Sequence, residues 1–159
     1  MTETAVCRQC GAPAHVTRLG HLEGEDHGVR VALDGLGVLE CEHGHKRLVS
    51  ADFPVRFIDG LLAAPDIPPV APAEKKGLFR KHLHCTRCGE ELPHEARGDE
   101  AAQRTVDLAD AEPVAVEVRM PVYRCPKCGE RATVPSDEAK KEVVGAVEAA
   151  FKSAGIAPG

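Results

Sequence analysis

The sequence predicts an α+β fold made of two small tandem modules. Each would be a short antiparallel sheet that carries a pair of cysteine knuckles and ends in a helix. Three observations carry this expectation. The string Cys-x-x-Cys-Gly opens each half and recurs late in the second. Between these strings, apolar and polar residues alternate with the period of two that a half-buried strand requires. Each half then closes on a run whose apolar residues recur at helical spacing.

In the first half, residues 14–19, 29–33 and 36–41 read as short strands, with Gly24, Gly28 and the Asp34-Gly35 pair marking the turns. A helix follows. Asp52 or Ser50 caps it, Pro54 lies in its first turn, and Phe53, Phe57, Ile58, Leu61 and Leu62 share one face. The proline-rich stretch 64–72 predicts an extended, semi-stiff spacer. With the boundary near residue 73, the modules fall at 1–64 and 78–159, and 65–77 is the linker. The second half offers strands at 91–96, 104–108 and 114–125. Val114, Val116 and Val118 alternate with Ala115, Glu117 and Arg119, and Pro121 marks an edge or a bulge. In the closing helix, Ser136 suits the N-cap, Asp137 and Glu138 suit the positive end of the dipole, and Gly155 stops the run. Val143, Val144, Val147, Ala150, Phe151 and Ala154 form its apolar stripe. Both stripes are expected to pack on their own modules; the alternative is that one docks a partner helix or a dimer mate.

All seven cysteines fall in patterns that suit a metal. Cys7 and Cys10, Cys85 and Cys88, and Cys125 and Cys128 form three Cys-x-x-Cys pairs, followed by Gly11, Gly89 and Gly129. Two thiolates so spaced reach one ion at about 2.3 Å without straining the chain. The glycine lets the backbone turn back with positive φ. The seventh cysteine lies in Cys41-Glu42-His43-Gly44-His45. The repeat puts a ligand at Gly44, which has no donor. His45 reaches in from the next position, with His43 as the alternative. His15, His21 and His27 are remote substitutes that read as surface histidines. The expected ligands are Cys7, Cys10, Cys41 and His45 in the first module, and Cys85, Cys88, Cys125 and Cys128 in the second. Two structural zinc ions account for the set, zinc rather than iron being inferred from the ligand spacing.

The opening Met-Thr-Glu-Thr-Ala has no basic n-region and no apolar h-region, and no run approaches a membrane span. A cytoplasmic protein is expected, and in a reducing compartment such pairs bind metal rather than cross-link. With four Phe, one Tyr and no Trp, separate modules of this size bury little apolar area. The metal is then part of the folding free energy.

The formal charge is −5, and seven bound thiolates with two dications would take it to about −8. That disfavours non-specific nucleic-acid binding. The exception is 75–88, which holds five Lys or Arg (Lys75, Lys76, Arg80, Lys81 and Arg87), no acid, and Phe79. Enzyme activity is not expected. Both donor sets are full, whereas a catalytic zinc keeps an open position. His21-Leu22-Glu23 lacks the Pro-Cys-x-x-Cys partner of zinc deaminases, and no cysteine is spare as a nucleophile.

The second half joins Cys-x-x-Cys-Gly, a valine-rich strand running into Tyr123-Arg124-Cys125-Pro126-Lys127-Cys128-Gly129, and a helix after Pro135. It resembles the YgiT-type zinc-finger domain, the N-terminal domain of MqsA-like antitoxins. The first half looks like a variant of it, with Gly28-Val29-Arg30-Val31 and Gly37-Val38-Leu39-Glu40-Cys41 in similar places. The resemblance implies a structural zinc domain that contacts a protein partner, often a toxin. In that family DNA binding belongs to a separate helix-turn-helix domain. This chain lacks a third segment long enough for one and carries the zinc module twice. The expected function is protein–protein interaction, as an adaptor, regulatory or antitoxin-like subunit. The alternatives are a nucleic-acid-binding regulator using 75–88 and a zinc-dependent enzyme. No membrane partner is expected.

Overall fold

The computed structural model describes residues 5–63, 70–77, 82–108 and 111–157. The fold is mixed α and β, with mostly antiparallel strands and two helices among the described residues. The first half contributes β1 (Ala5–Val6), β2 (Pro13–Arg18), β3 (His21–Asp26), β4 (Val29–Asp34), β5 (Gly37–Cys41), β6 (Lys46–Leu48) and α1 (Phe53–Leu62). The second contributes β7 (Glu74–Lys76), β8 (His82–His84), β9 (Asp99–Val106), β10 (Val114–Pro121), β11 (Tyr123–Arg124), β12 (Arg131–Ala132), α2 (Ser136–Ser153) and β13 (Ile156–Ala157).

The alternating pattern of both halves ends up in one sheet, ordered β3-β4-β10-β9. Its central pair joins β4 of the first half to β10 of the second. Val31 stands opposite Val118, and Leu33 opposite Val116. The inward rows Val29, Val31, Leu33 and Val114, Val116, Val118, Met120 are all buried. A slip of one residue would turn every one of them to solvent, so the pattern itself fixes the register. The β3–β4 turn is His27-Gly28, both at positive φ (50° and 86°), as a two-residue hairpin turn with the twist of its strands requires.

Each helix covers strands of the other half. α2 packs on β3 and β4, and two glycines permit the approach. A Cβ at Gly24 would stand 2.0 Å from the Ala146 carbonyl oxygen, and one at Gly145 would stand 1.9 Å from Asp26 Oδ2. Gly24, expected in a turn, is therefore mid-strand, and glycine is needed there for closeness rather than for curvature. α1 lies against β9, where a Cβ on Gly60 would meet Val106 at 3.2 Å. The Phe57 ring touches both Phe53 and Phe151, with centroids 5.7 and 6.3 Å away. After α2 the chain adds β13 in parallel to β6, in a second sheet ordered β1-β2-β5-β6-β13.

The expectation that each stripe packs on its own module is thus corrected. The joint β4–β10 face offers a long valine-lined surface, whereas each cysteine cluster buries only a handful of small residues. The alternative, a stripe left for a partner, fails for the same reason. Val147 and Phe151 are buried in the core with Phe53, Phe57 and Leu61.

Other boundaries move as well. Residues 91–96 are not a strand; Glu91 makes a single bridge to His84. β9 begins at Asp99, five residues before the expected start. The expected strand 114–125 splits at Val122. The ladder to β4 ends at Arg119, so Pro121 stands beyond the doubly flanked stretch, where a missing N–H does no harm. The N-cap of α2 is Pro135 rather than Ser136, and neither helix has a side-chain cap bond. Ser50 Oγ instead donates to Asp52 Oδ1 at 2.8 Å. Gly155, at φ 75°, closes α2 as expected. Of the expected spacer, 64–69 lies outside the described residues. The part that follows is docked: the Ala73 N–H donates to the Thr133 carbonyl at 2.8 Å, and the Thr133 N–H to that of Ala71 at 3.0 Å.

Candidate metal centres

The backbone builds each half-site first. In the three Cys-x-x-Cys-Gly knuckles, the glycine N–H bonds back to the first cysteine carbonyl at 2.8–3.0 Å, and Gly11, Gly89 and Gly129 lie at φ 74°, 80° and 78°. The fourth half-site is the same device one residue tighter. The Gly44 N–H bonds to the Cys41 carbonyl at 3.0 Å with φ 81°, and the Cys41 N–H bonds to the His45 carbonyl at 3.1 Å. The glycine has moved up one place into the position of the second cysteine. His45 therefore follows the turn, and its longer arm makes up the distance.

The donor atoms of Cys7, Cys10, Cys41 and His45 lie within 4.8 Å of one another, and so do those of Cys85, Cys88, Cys125 and Cys128. A tetrahedral ion with 2.3 Å metal–sulfur bonds sets its sulfurs about 3.8 Å apart, and a sulfur and an imidazole nitrogen about 3.6 Å apart. The Cys10–Cys41, Cys85–Cys128 and Cys88–Cys125 sulfurs are 3.8, 3.6 and 3.5 Å apart. His45 Nδ1 stands 3.5 Å from the sulfurs of both Cys7 and Cys41. A disulfide would need about 2.05 Å, and all seven cysteines are free. His43 Nδ1 touches the Cys10 sulfur at 3.3 Å but does not join the set of four. Of the remote histidines, His15 is exposed, His21 pairs with Glu23 at 2.9 Å, and His27 pairs with Asp26 at 2.6 Å.

The electrostatics favour a cation. Burial pushes Cys7 up, but the backbone N–H groups of Cys10 and Gln9, with the Cys10 and His45 side chains, outweigh it and hold the thiol at about 6. The N–H groups of Cys128 and Lys127 hold Cys125 at about 6, and the Cys88 N–H lowers Cys85 in the same way. The second cysteine of each pair goes the other way. In Cys128 the Glu130 N–H acts downward, yet burial and three neighbouring thiols push it up to about 12; Cys10 and Cys88 are raised too. Each knuckle thus pairs a lowered thiol with a raised one, and a divalent metal would supply the compensating charge that favours the thiolate form of both.

Sequence reasoning passed over Glu91 and His94, which the structure sets beside His82. The local signal is the Glu-x-x-His spacing around Pro93. Arg80 and Lys81 of the basic stretch lie outside the described residues. Lys75, Lys76 and Arg87 are engaged with Glu138, Glu74 and Glu130. No helix among the described residues is long and apolar enough to cross a membrane. Compared with known proteins, the chain matches no family model, no curated protein and no solved structure.

Proposed function

We propose that both clusters hold structural zinc and that the chain is a metal-stapled protein-interaction unit built from two ribbon-like repeats. The observation that carries this reading is that both donor sets are complete. Four ligands close each site, at edges that suit a tetrahedral ion, so the metal's work is to hold chain rather than to meet substrate. Borderline-soft zinc suits a set of four thiolates and equally a set of three thiolates with one imidazole. The resemblance to the YgiT-type domain supports partner binding of an adaptor or antitoxin-like kind.

The surface we assign to the partner is the uncovered face of the β3-β4-β10-β9 sheet, since the helices occupy the other. Small side chains at Ala32 and Ala115 line two shallow depressions there, about 450 and 340 Å³, with Glu117 bordering both. Arg30 pairs with Glu25, Arg119 with Asp99 and Glu117, and His21 with Glu23 and Asp34. Acids outnumber cations, which suits a partner of basic chemistry. A photo-crosslinking residue at Ala115 should capture one discrete protein, while one at exposed Glu148 on α2 should not. Equal capture at both positions, or none at Ala115, would reject this surface.

A second reading rests on a different observation. Arg97, Arg124 and Lys127 line a cleft of about 500 Å³ beside the Cys125–Gly129 knuckle. As a nucleic-acid contact it would weaken steeply with salt and fail in Arg124→Glu. Lys75, Lys76 and Arg87 of the 75–88 stretch are already paired within the chain, so this cleft is the stronger basis among the described residues.

A further inference from the structure

Apart from the cysteine clusters, the structure brings three other donors together. His82 lies on β8, Glu91 follows the knuckle of Cys85 and Cys88, and His94 comes just after Pro93. Their ligand atoms lie within 4.8 Å of one another. His82 Nδ1 is 3.1 Å from Glu91 Oε1, and the His82 and His94 ring centroids are 5.5 Å apart at 60°.

The fold holds this trio in place. β8 is paired with β7 on one side and bridged to Glu91 on the other. The Leu92 N–H donates to the Leu83 carbonyl at 2.8 Å. The Leu92 side chain is buried with Cys85 and Cys125, which anchors the segment between the two outer donors. Pro93 restricts the backbone between them. His84, the other histidine of the strand, is turned elsewhere, its Nδ1 on the Gly89 carbonyl at 3.1 Å. Lys76 stands opposite His82 in register, but its ammonium is paired with Glu74 at 3.5 Å.

We propose that His82, Glu91 and His94 form a third metal site, of a different kind from the other two. Two imidazoles and a carboxylate are the donor set of open zinc and non-haem iron centres, which leave further positions to water. The side chains of His82 and Glu91 are 36% and 49% exposed, so solvent or a small ligand reaches those positions. A plain His82–Glu91 ion pair would explain two of the three residues. It does not explain why His94, from beyond a proline, is brought to the same point. The cation is a borderline divalent ion such as Zn2+, Co2+ or Ni2+. The proposal rests on a loaded second cysteine centre, because that knuckle lies between and positions the two segments that carry the trio.

The test uses the full chain, first shown by elemental analysis to carry two zinc ions, then titrated with Co2+. The expected result is one further equivalent, with d–d absorption but no thiolate-to-cobalt charge-transfer band. His94→Ala and Glu91→Gln should each weaken that equivalent by at least about tenfold while keeping both zinc ions and the far-ultraviolet circular dichroism. His15→Ala should change nothing. No third equivalent, a third equivalent unchanged in both variants, or a charge-transfer band with loss of zinc would each overturn the proposal. Fewer than two zinc ions at the outset would instead count against the reading of the cysteine clusters.

Discussion

The two cysteine clusters use the same knuckle but are embedded differently. The first buries Cys7 and Cys41 with Ala12, Ala14 and Leu39, and Ala5 packs on its outside. It is a satellite at the end of the sheet β1-β2-β5-β6-β13. The second buries Cys85 and Cys125 with Ala73, Leu92 and Ala132, and Leu83 and Tyr123 pack against both it and the main core. That core contains no cysteine and draws on both halves of the chain. Composition suggested modules too poor in apolar bulk to stand without metal. Pooling two β-hairpins and two exchanged helices gives a core that neither half could bury alone. A metal held by these donors would therefore clamp the chain locally at the first cluster, and at the second would be wired to the core.

The largest effect expected is common to both clusters. Cys7 and Cys125 are held at about 6, below the value near 9 of a free thiol. For these two groups the shift contributes stability that is fully present above the unfolded value and is lost as pH falls through about 6. The raised Cys10, Cys88 and Cys128 act in the opposite sense until a cation compensates them. Protons also displace the metal from its thiolates. Both centres should stay loaded at pH 8 and empty below about pH 6, followed by metal release to a chromophoric chelator. Cysteine substitutions should then separate them. Cys125→Ser should lose the second ion and lower unfolding stability by more than about 3 kcal/mol. Cys41→Ser should lose the first ion while the methyl resonances of Val31, Val118 and Leu33 keep their positions. If both variants unfold alike, the satellite description of the first cluster is wrong.

Next is Gly24→Ala, which tests whether packing rather than metal joins the halves. The new methyl would strike the backbone of Ala146 and Ala150 at 2.0 and 2.4 Å, which cannot yield as a side chain would. A loss of about 3 kcal/mol is expected, with both ions retained. Denaturant unfolding with parallel metal analysis would show it, and an unchanged midpoint would remove the helix exchange from the account. The smallest change is at the fourth half-site. His45→Ala should loosen the first ion alone, while His43→Ala should leave stoichiometry intact, both read by competition with a chelator.

Much of the candidate site was legible because its chemistry is local. Cys-x-x-Cys-Gly contains its own turn, and its donor spacing is set by the backbone between the two cysteines. The tighter turn at Cys41 was half legible: Gly44 showed that the repeat was broken, and the remaining histidines showed where to look. The exchange of helices was not legible, because periodicity says which face of α2 is apolar and not which strands will cover it. Gly24 illustrates the gap. Glycine in a strand and glycine in a turn read alike in sequence, and only the position of α2 decides between them. The trio His82, Glu91 and His94 escaped because its donors flank a knuckle and meet only when Leu92 is buried.

Native mass spectrometry of the intact chain, exchanged into metal-free volatile buffer, tests the central claim most directly. The expected result is a folded species carrying two zinc ions, with His45→Ala reduced towards one and Cys125→Ser unfolding as its ion is lost. A folded, metal-free mass, or one short of the hydrogens that disulfides remove, would contradict it.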